Sequence, residues 1–327
     1  MTDQRSLATA DIPLQKSAPR PRVKIPKPEP IIGYRTARGV MYHGLAEDVL
    51  QSVSAKKYHG KVHLILTSPP FPLNRKKKYG NLQGQKYVEW LAAFAPLMKE
   101  CLSDDGSIVI EMGNAWEPGE PVMSTLALET LLAFQKSAGL KLCQQFVCYN
   151  PARLPTPTQW VNVERIRVKD SYTHVWWMSP TAKPKADNRR VLTAYSSSMV
   201  KLLRTGKYNS GSRPSEHRLG KDSFLKDNEG AIPSNVLTLT NTDSNDPYLN
   251  YCRQRDLPIH PARMPAGLAE FFVNFLTDAD DLVLDPFAGS NTTGSVAERL
   301  GRQWLAIEPK QDYIKGSRGR FAECMEE

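Results

Sequence analysis

The stretch that most narrows the possible folds is residues 282–308. Leu282-Val283-Leu284 is a short apolar run, and Asp285-Pro286-Phe287-Ala288-Gly289-Ser290-Asn291-Thr292-Thr293-Gly294 carries a turn into a helix that runs through Arg299. Gln303 to Ile307 is a second apolar run, closed by Glu308. Two short buried strands joined by a turn and a helix form a βαβ unit, which needs a parallel sheet with helices over its faces. The rhythm recurs upstream. Leu45, Val49, Leu50 and Val53 have helical spacing, Val62 to Leu66 reads as a buried strand, and Tyr87 to Cys101 sets Trp90, Leu91, Phe94, Leu97 and Met98 on one helix face. Asp104-Asp105-Gly106 stops that helix before a strand over Ser107 to Met112. A helix over Leu126 to Ala138 is closed by Gly139, a strand follows over Gln144 to Tyr149, and Leu268 to Leu276 is helical. The expected class is α/β with a mostly parallel sheet and no internal repeat.

Two regions depart from this rhythm. Residues 1–33 hold six prolines from Pro13 to Pro30 among Arg20, Arg22, Lys24 and Lys27, and bury too little to offset their ordering entropy, so a basic, flexible arm is expected. Residues 181–255 are polar, rich in Ser, Asn and Pro, and strongly basic, which suggests a binding region inserted between regular α/β halves.

Charge and cysteines bound the partners. Forty-three Lys and Arg against 34 Asp and Glu leave a formal charge of +9, which suits a polyanion. No apolar run approaches the roughly 18 residues that cross a bilayer. Five cysteines without a C-x-x-C pair suggest neither a disulfide framework nor a metal site. A soluble protein of the cytoplasm is expected, with reduced thiols, no metal and no membrane contact.

The turn after Leu284 carries chemistry. Gly289 lets the backbone approach a ligand, the following helix N-terminus offers N–H groups, and Glu308 is placed to accept from ribose hydroxyls. There is neither G-x-G-x-x-G nor Gly-Lys-Ser/Thr, so a pyrophosphate is disfavoured. An adenosine cofactor without phosphate fits, and S-adenosylmethionine is the common one.

A second turn follows Leu66: Thr67-Ser68-Pro69-Pro70-Phe71, with Arg75-Lys76-Lys77-Lys78 close behind. Together with Asp285 to Asn291 it resembles the amino-methyltransferases of bacterial restriction-modification systems. The order, with Ser-Pro-Pro-Phe first and the cofactor motif last, is similar to their circularly permuted β group. Further agreement lies in Tyr79-Gly80-Asn81-Leu82, Arg165 to Asp170, Val175-Trp176-Trp177 and His260 to Pro265, over nearly everything but the first 33 residues. Leu45 departs from the pattern, since relatives commonly have Asp after the glycine equivalent to Gly44; Glu47 is a candidate substitute.

The resemblance implies a Rossmann-like class I S-adenosylmethionine-dependent methyltransferase, permuted, with a catalytic half (34–180), a smaller target-recognition region (181–255) and a cofactor-binding half (256–327). It implies catalysis by Ser68, Pro69, Pro70 and Phe71 and cofactor contacts from Thr67, Arg263, Pro265, Asp285, Phe287, Gly289, Ser290, Asn291 and Glu308. Double-stranded DNA would be held by Arg75, Lys76, Lys77, Lys78, Arg165, Arg167 and Arg213. The Ser variant of the motif is the one usual in N4-cytosine enzymes. A target base must leave the stack to be reached, with Phe71 against it and the Ser68 hydroxyl and Pro69 carbonyl accepting from its amine. Methylation at C5 needs a thiolate, usually from a Pro-Cys pair, and this sequence has none. A monomer is expected, with a possible cognate restriction endonuclease acting on the same site without a stable complex. Two alternatives stay open at this point: N6-adenine methylation on the same fold, and a metal-dependent nuclease using Asp285 and Glu308-Pro309-Lys310.

Overall fold

The computed structural model describes residues 29–72, 82–207, 211–212, 218–220, 224–240 and 246–321. The expectations for residues 1–28, for Arg75 to Lys78 and for Arg213 lie outside the described residues.

Among the described residues nine strands make one sheet: β1 (Ile31–Arg35), β2 (Gly39–His43), β3 (Val62–Thr67), β4 (Leu102–Gly113), β5 (Lys141–Tyr149), β6 (Tyr172–Ser179), β7 (Val236–Thr238), β8 (Leu282–Asp285) and β9 (Gln303–Glu308). Their spatial order is β1-β2-β9-β8-β3-β4-β6-β5-β7. The run from β2 to β4 is parallel throughout. Within this sheet, β1, which pairs with β2, and β6, which lies between β4 and β5, run against their neighbours.

Both faces of the sheet are covered. Ile65 points to one side with Ile108, Ile110, Leu284 and Ile307, against helices α1 (Ala46–Leu50), α2 (Gln85–Ala92), α3 (Phe94–Cys101) and α4 (Leu126–Ala138). Leu64 and Leu66 point to the other with Val109, Val283 and Ala306. α5 (Ser197–Thr205) and α6 (Pro247–Gln254) follow in the chain, and the second face is covered by α7 (Ala266–Leu276), α8 (Thr292–Arg299) and α9 (Gln311–Ser317). Side chains alternating on a strand buried on both faces explain why the central strands read as unbroken apolar runs. Each fully buried Leu or Ile contributes roughly 1.5–3 kcal/mol.

Several elements differ from the sequence reading. The helix expected over Tyr87 to Cys101 is two helices parted at Ala93. Pro96 lacks an N–H to bond Ala92 and its ring crowds that carbonyl, so the first helix ends there. Gly139 closes α4 in the left-handed region at φ 61°, as expected of a C-terminal glycine. β1 takes in Ile31 to Gly33, which the sequence assigned to the arm. The 181–255 region is less irregular than its composition suggests. β7 joins the main sheet beside β5, and α6 buries Tyr248 and Cys252. Asp246, which caps α6, pairs with Arg263 at 3.3 Å and Arg320 at 3.5 Å, so by its contacts α6 belongs with the C-terminal half.

Candidate active site

β8 leads to β9 on one side while β3 leads to β4 on the other. A crevice therefore opens at the carboxyl ends of β8 and β3, as at the switch point of any open α/β sheet. Both turns singled out in the sequence sit there.

The two strand ends are joined by Asp285. Thr67 Oγ1 donates to Asp285 Oδ1 at 2.6 Å, Thr293 Oγ1 donates to Oδ2 at 2.8 Å, and the amide of Phe287 donates to Oδ1 at 3.1 Å. Burial pushes the carboxyl up to about 6 against these three donors. Asp285 thus fixes the turn and the neighbouring strand, and its oxygens are engaged by protein groups.

Gly289 has φ +51°, and a Cβ there would lie 2.9 Å from His260 Nε2. Only glycine fits under that ring. Its amide donates to Glu308 Oε2 at 3.0 Å and the amide of Lys310 donates to Oε1 at 2.9 Å. Burial still holds the Glu308 carboxyl up to about 7. His260, packed edge-on against Tyr313 at 4.5 Å, is pushed down to about 4 by burial and is a neutral imidazole. It is a wall of the cleft.

The side chains of Ser290 and Asn291 are engaged within the protein. Asn291 is fully buried at φ +56° and caps α8 by accepting from the amide of Gly294, while its Nδ2 donates to the Tyr34 hydroxyl at 3.0 Å. Ser290 accepts from Arg320 through both its carbonyl (2.6 Å) and its hydroxyl (3.1 Å). Their side chains hold the turn together and do not line the cleft.

At the other corner, Pro69 is buried while Ser68, Pro70 and Phe71 are half-buried. Gly113, at the end of β4, explains where Phe71 rests: a Cβ there would come within 2.3 Å of the ring. The carboxylate of Glu111 accepts from Thr173 Oγ1 at 2.9 Å, and Ser68 stands close enough to act on it as a second donor. Burial pushes Glu111 above the usual carboxylate range despite these donors. A Ser68 hydroxyl turned toward Glu111 leaves its oxygen lone pairs as acceptors.

Two cavities meet at this corner and share Ser68, Phe71 and Ala262. One, about 720 Å³, lies against Phe287, Glu308, Pro309 and Tyr313. The other, about 680 Å³, lies against Glu111, Asn150, Arg153 and Thr173, with Arg263 and Pro265 on its far wall. The first suits an adenosine: an apolar surface for a ring, a carboxylate for ribose hydroxyls, and a glycine where the backbone comes close. Arg263 and Pro265 border the second cavity, beyond the Glu308 cleft. The oxygens of Asp285 and of Glu308 each accept from donors of the protein itself. Among the described residues no group of three or more His, Cys, Asp and Glu is arranged to hold a metal.

Of the residues expected to hold DNA, Arg165 and Arg167 are described, both exposed on the excursion between β5 and β6. Arg167 donates to the carbonyls of Pro121 at 3.0 Å and Ile166 at 2.8 Å. Glu111, Asn150 and Arg153 were not singled out in the sequence. A lone acid interrupting the apolar run Ile108-Val109-Ile110 was the available signal for Glu111.

Residues 62–318 match the DNA methylase family of N6 and N4 enzymes. The chain is 44% identical over 290 residues to the type II methyltransferase M.PvuII of Proteus hauseri, covering 88% of this chain and 85% of that one. The solved structure of the PvuII DNA methyltransferase, described as cytosine-N4-specific, superposes with a TM-score of 0.71 at 38% identity, over 89% of this chain and 88% of that one. A DNA modification methylase of Thermus thermophilus, solved with S-adenosylmethionine, shares the fold at a TM-score of 0.51 and 20% identity, over 88% of this chain and 96% of that one.

Proposed function

The chain belongs to the DNA methylase family, and from that premise we propose that it transfers a methyl group from S-adenosylmethionine to N4 of a cytosine turned out of duplex DNA. The observation that carries the reading is the meeting of the two cavities at Ser68 and Phe71. A cofactor in the Glu308 cleft and a base in the Glu111 cavity would touch across the Ser-Pro-Pro-Phe corner. When bound, the cofactor supplies an electrophilic methyl carbon on a sulfonium.

The protein's part is to make a poor nucleophile reactive and to place it. The lone pair of an exocyclic amine is delocalised into the ring. Acceptors at Ser68 Oγ and the Pro69 carbonyl draw its protons out of plane and aim the lone pair at the methyl carbon, while Phe71 stacks on the ring. Pro69 and Pro70 keep both acceptors fixed, so alignment and preorganised electrostatics do most of the catalytic work. Transfer leaves a surplus proton on nitrogen. Through Ser68 that proton has a route to Glu111, whose raised affinity for protons fits it as acceptor. Cys148 borders the same cavity, but burial pushes its thiol up to about 11, so it offers no thiolate for attack at C5.

In the cofactor cleft, Glu308 receives the ribose hydroxyls and Gly289 admits the close backbone approach, with Phe287 part of the apolar wall. Thr67 and Asp285 hold that cleft to the catalytic corner, and Arg263 and Pro265, on the wall of the adjoining cavity, shape the side toward which the methionine end extends. DNA phosphates are held by Arg75 to Lys78, Arg165, Arg167 and Arg213, with sequence read by the 181–255 region. The protein is a cytoplasmic monomer that protects DNA from a cognate endonuclease with which it forms no stable complex. Among the described residues no helix is long and apolar enough to cross a membrane.

The test is mass spectrometry of nucleosides from DNA incubated with the purified protein and S-adenosylmethionine. N4-methylcytosine is expected; N6-methyladenine or 5-methylcytosine in its place would overturn the reading.

A further inference from the structure

The cavity beyond Ser68 is asymmetric in its hydrogen-bonding groups. It follows the carboxyl edge of β3 and β4, passes the start of β6 and reaches the end of β5, with neighbouring strands about 4.8 Å apart. Acceptors stand at the near end: Ser68 after β3 and Glu111 on β4. Donors stand at the far end, just after β5. Asn150 Oδ1 accepts from the amide of Ala152 at 3.0 Å, and its NH2 supplies two donors to a residue that lines the cavity. Arg153 Nη1 donates to the Tyr172 carbonyl at 3.0 Å, which anchors by one corner a planar group with five N–H donors. The guanidinium acts electrostatically on Glu111, so its charge reaches back along the cavity toward the amine end.

This order of groups matches one base edge. Read from its amine, cytosine presents a donor, then the N3 acceptor, then the O2 acceptor. Adenine, seated by its amine, presents one ring acceptor and then a C–H where cytosine has O2.

Resting on the N4-cytosine reading, we propose that Arg153, with Asn150, receives O2 and N3 of the target base and so makes the pocket selective for cytosine over adenine. With adenine, half-buried guanidinium N–H groups would face a C–H and lose their water without gaining a partner. A site built to hydrogen-bond a particular group rejects analogues lacking it far more strongly than an apolar pocket rejects a change of size. Lysine in this place would keep the charge without the planar fork. Arg153 does not touch the transferring methyl group; it is a specificity residue.

The test needs the modified site, which sequencing of DNA methylated by the purified protein locates. Synthetic duplexes of that site then carry, at the target position, cytosine, 2-thiocytosine (whose sulfur is a poor acceptor) or adenine. The wild-type protein is expected to lose on the order of 10- to 100-fold in kcat/KM on the thio base. Arg153→Met is expected to lose a similar factor on cytosine, to be nearly indifferent to the sulfur, and to discriminate less against adenine. Arg153→Lys should recover part of the loss. Calorimetric binding of S-adenosylmethionine checks that Arg153→Met is folded; if it is not, Arg153→Gln, which removes the guanidinium with a smaller change in polarity, takes its place with the same expectations. Equal discrimination between sulfur and oxygen by variant and wild type would overturn the proposal and leave the N4 reading standing. Failure of the wild-type protein to make any N4-methylcytosine would overturn both.

Discussion

The hydroxyl of Thr67 donates to Oδ1 of Asp285 across 2.6 Å, and the two residues are 218 positions apart in sequence. One ends the strand that carries the Ser-Pro-Pro-Phe corner; the other ends the strand that carries the glycine turn. This buried hydrogen bond adds to the parallel pairing of β3 with β8 in registering the two cavities against each other. Thr67→Val keeps the volume and removes the donor, leaving a buried carboxylate under-satisfied. A stability loss of about 1–3 kcal/mol is expected, read by denaturant unfolding, whereas Thr67→Ser should lose less than half as much.

Glu308 gives a pH dependence with two opposite signs. Its carboxyl is held up to about 7 from an ordinary 4.5, so the fold favours the neutral form. Its contribution to the stability of the cofactor-free protein is full below about pH 4.5 and is lost as pH rises through about 7. Ribose hydroxyls need the charged form as acceptor, so cofactor affinity should rise over the same window. Calorimetric titration from about pH 5.5 to 8.5 should show that rise in the wild-type protein and a flatter profile in Glu308→Gln.

Glu111→Gln preserves shape but replaces one carboxylate oxygen by an NH2, which can turn the Ser68 hydroxyl from acceptor to donor toward the amine. Single-turnover methyl transfer should fall on the order of 100-fold, with DNA affinity within about threefold of wild type by fluorescence anisotropy. An unchanged transfer rate would remove Glu111 from the account.

The sequence was most legible where a local physical requirement leaves a local mark. Asp285 to Glu308 reads as strand, turn, helix and strand because each piece is short and buried on both faces, and Gly139 reads as a helix stop because few other residues adopt φ +61° there. Legibility failed where the decisive partner is distant in sequence. The β5–β6 pair is set by long-range pairing such as Phe146 with Val175. α6 reads as part of a basic insertion until Asp246 is seen between Arg263 and Arg320. In the candidate site, both turns were visible, but the internal hydrogen bonds of Ser290 and Asn291 were not, because a polar cap and a polar binding turn have the same composition. Arg153 carried no mark, since nothing local distinguishes a cavity arginine from a solvated one.

The central claim is that Ser68, held by Pro69 and Pro70 and oriented by Glu111, activates the amine and does little to bind the DNA. Single-turnover transfer by Ser68→Ala, measured beside its DNA dissociation constant, tests this most directly. The account predicts transfer slowed on the order of 100- to 1,000-fold, as for loss of one preorganised hydrogen-bonding group, with DNA affinity changed by no more than about threefold. A transfer rate within a few-fold of wild type, or a loss in binding as large as the loss in rate, would contradict it.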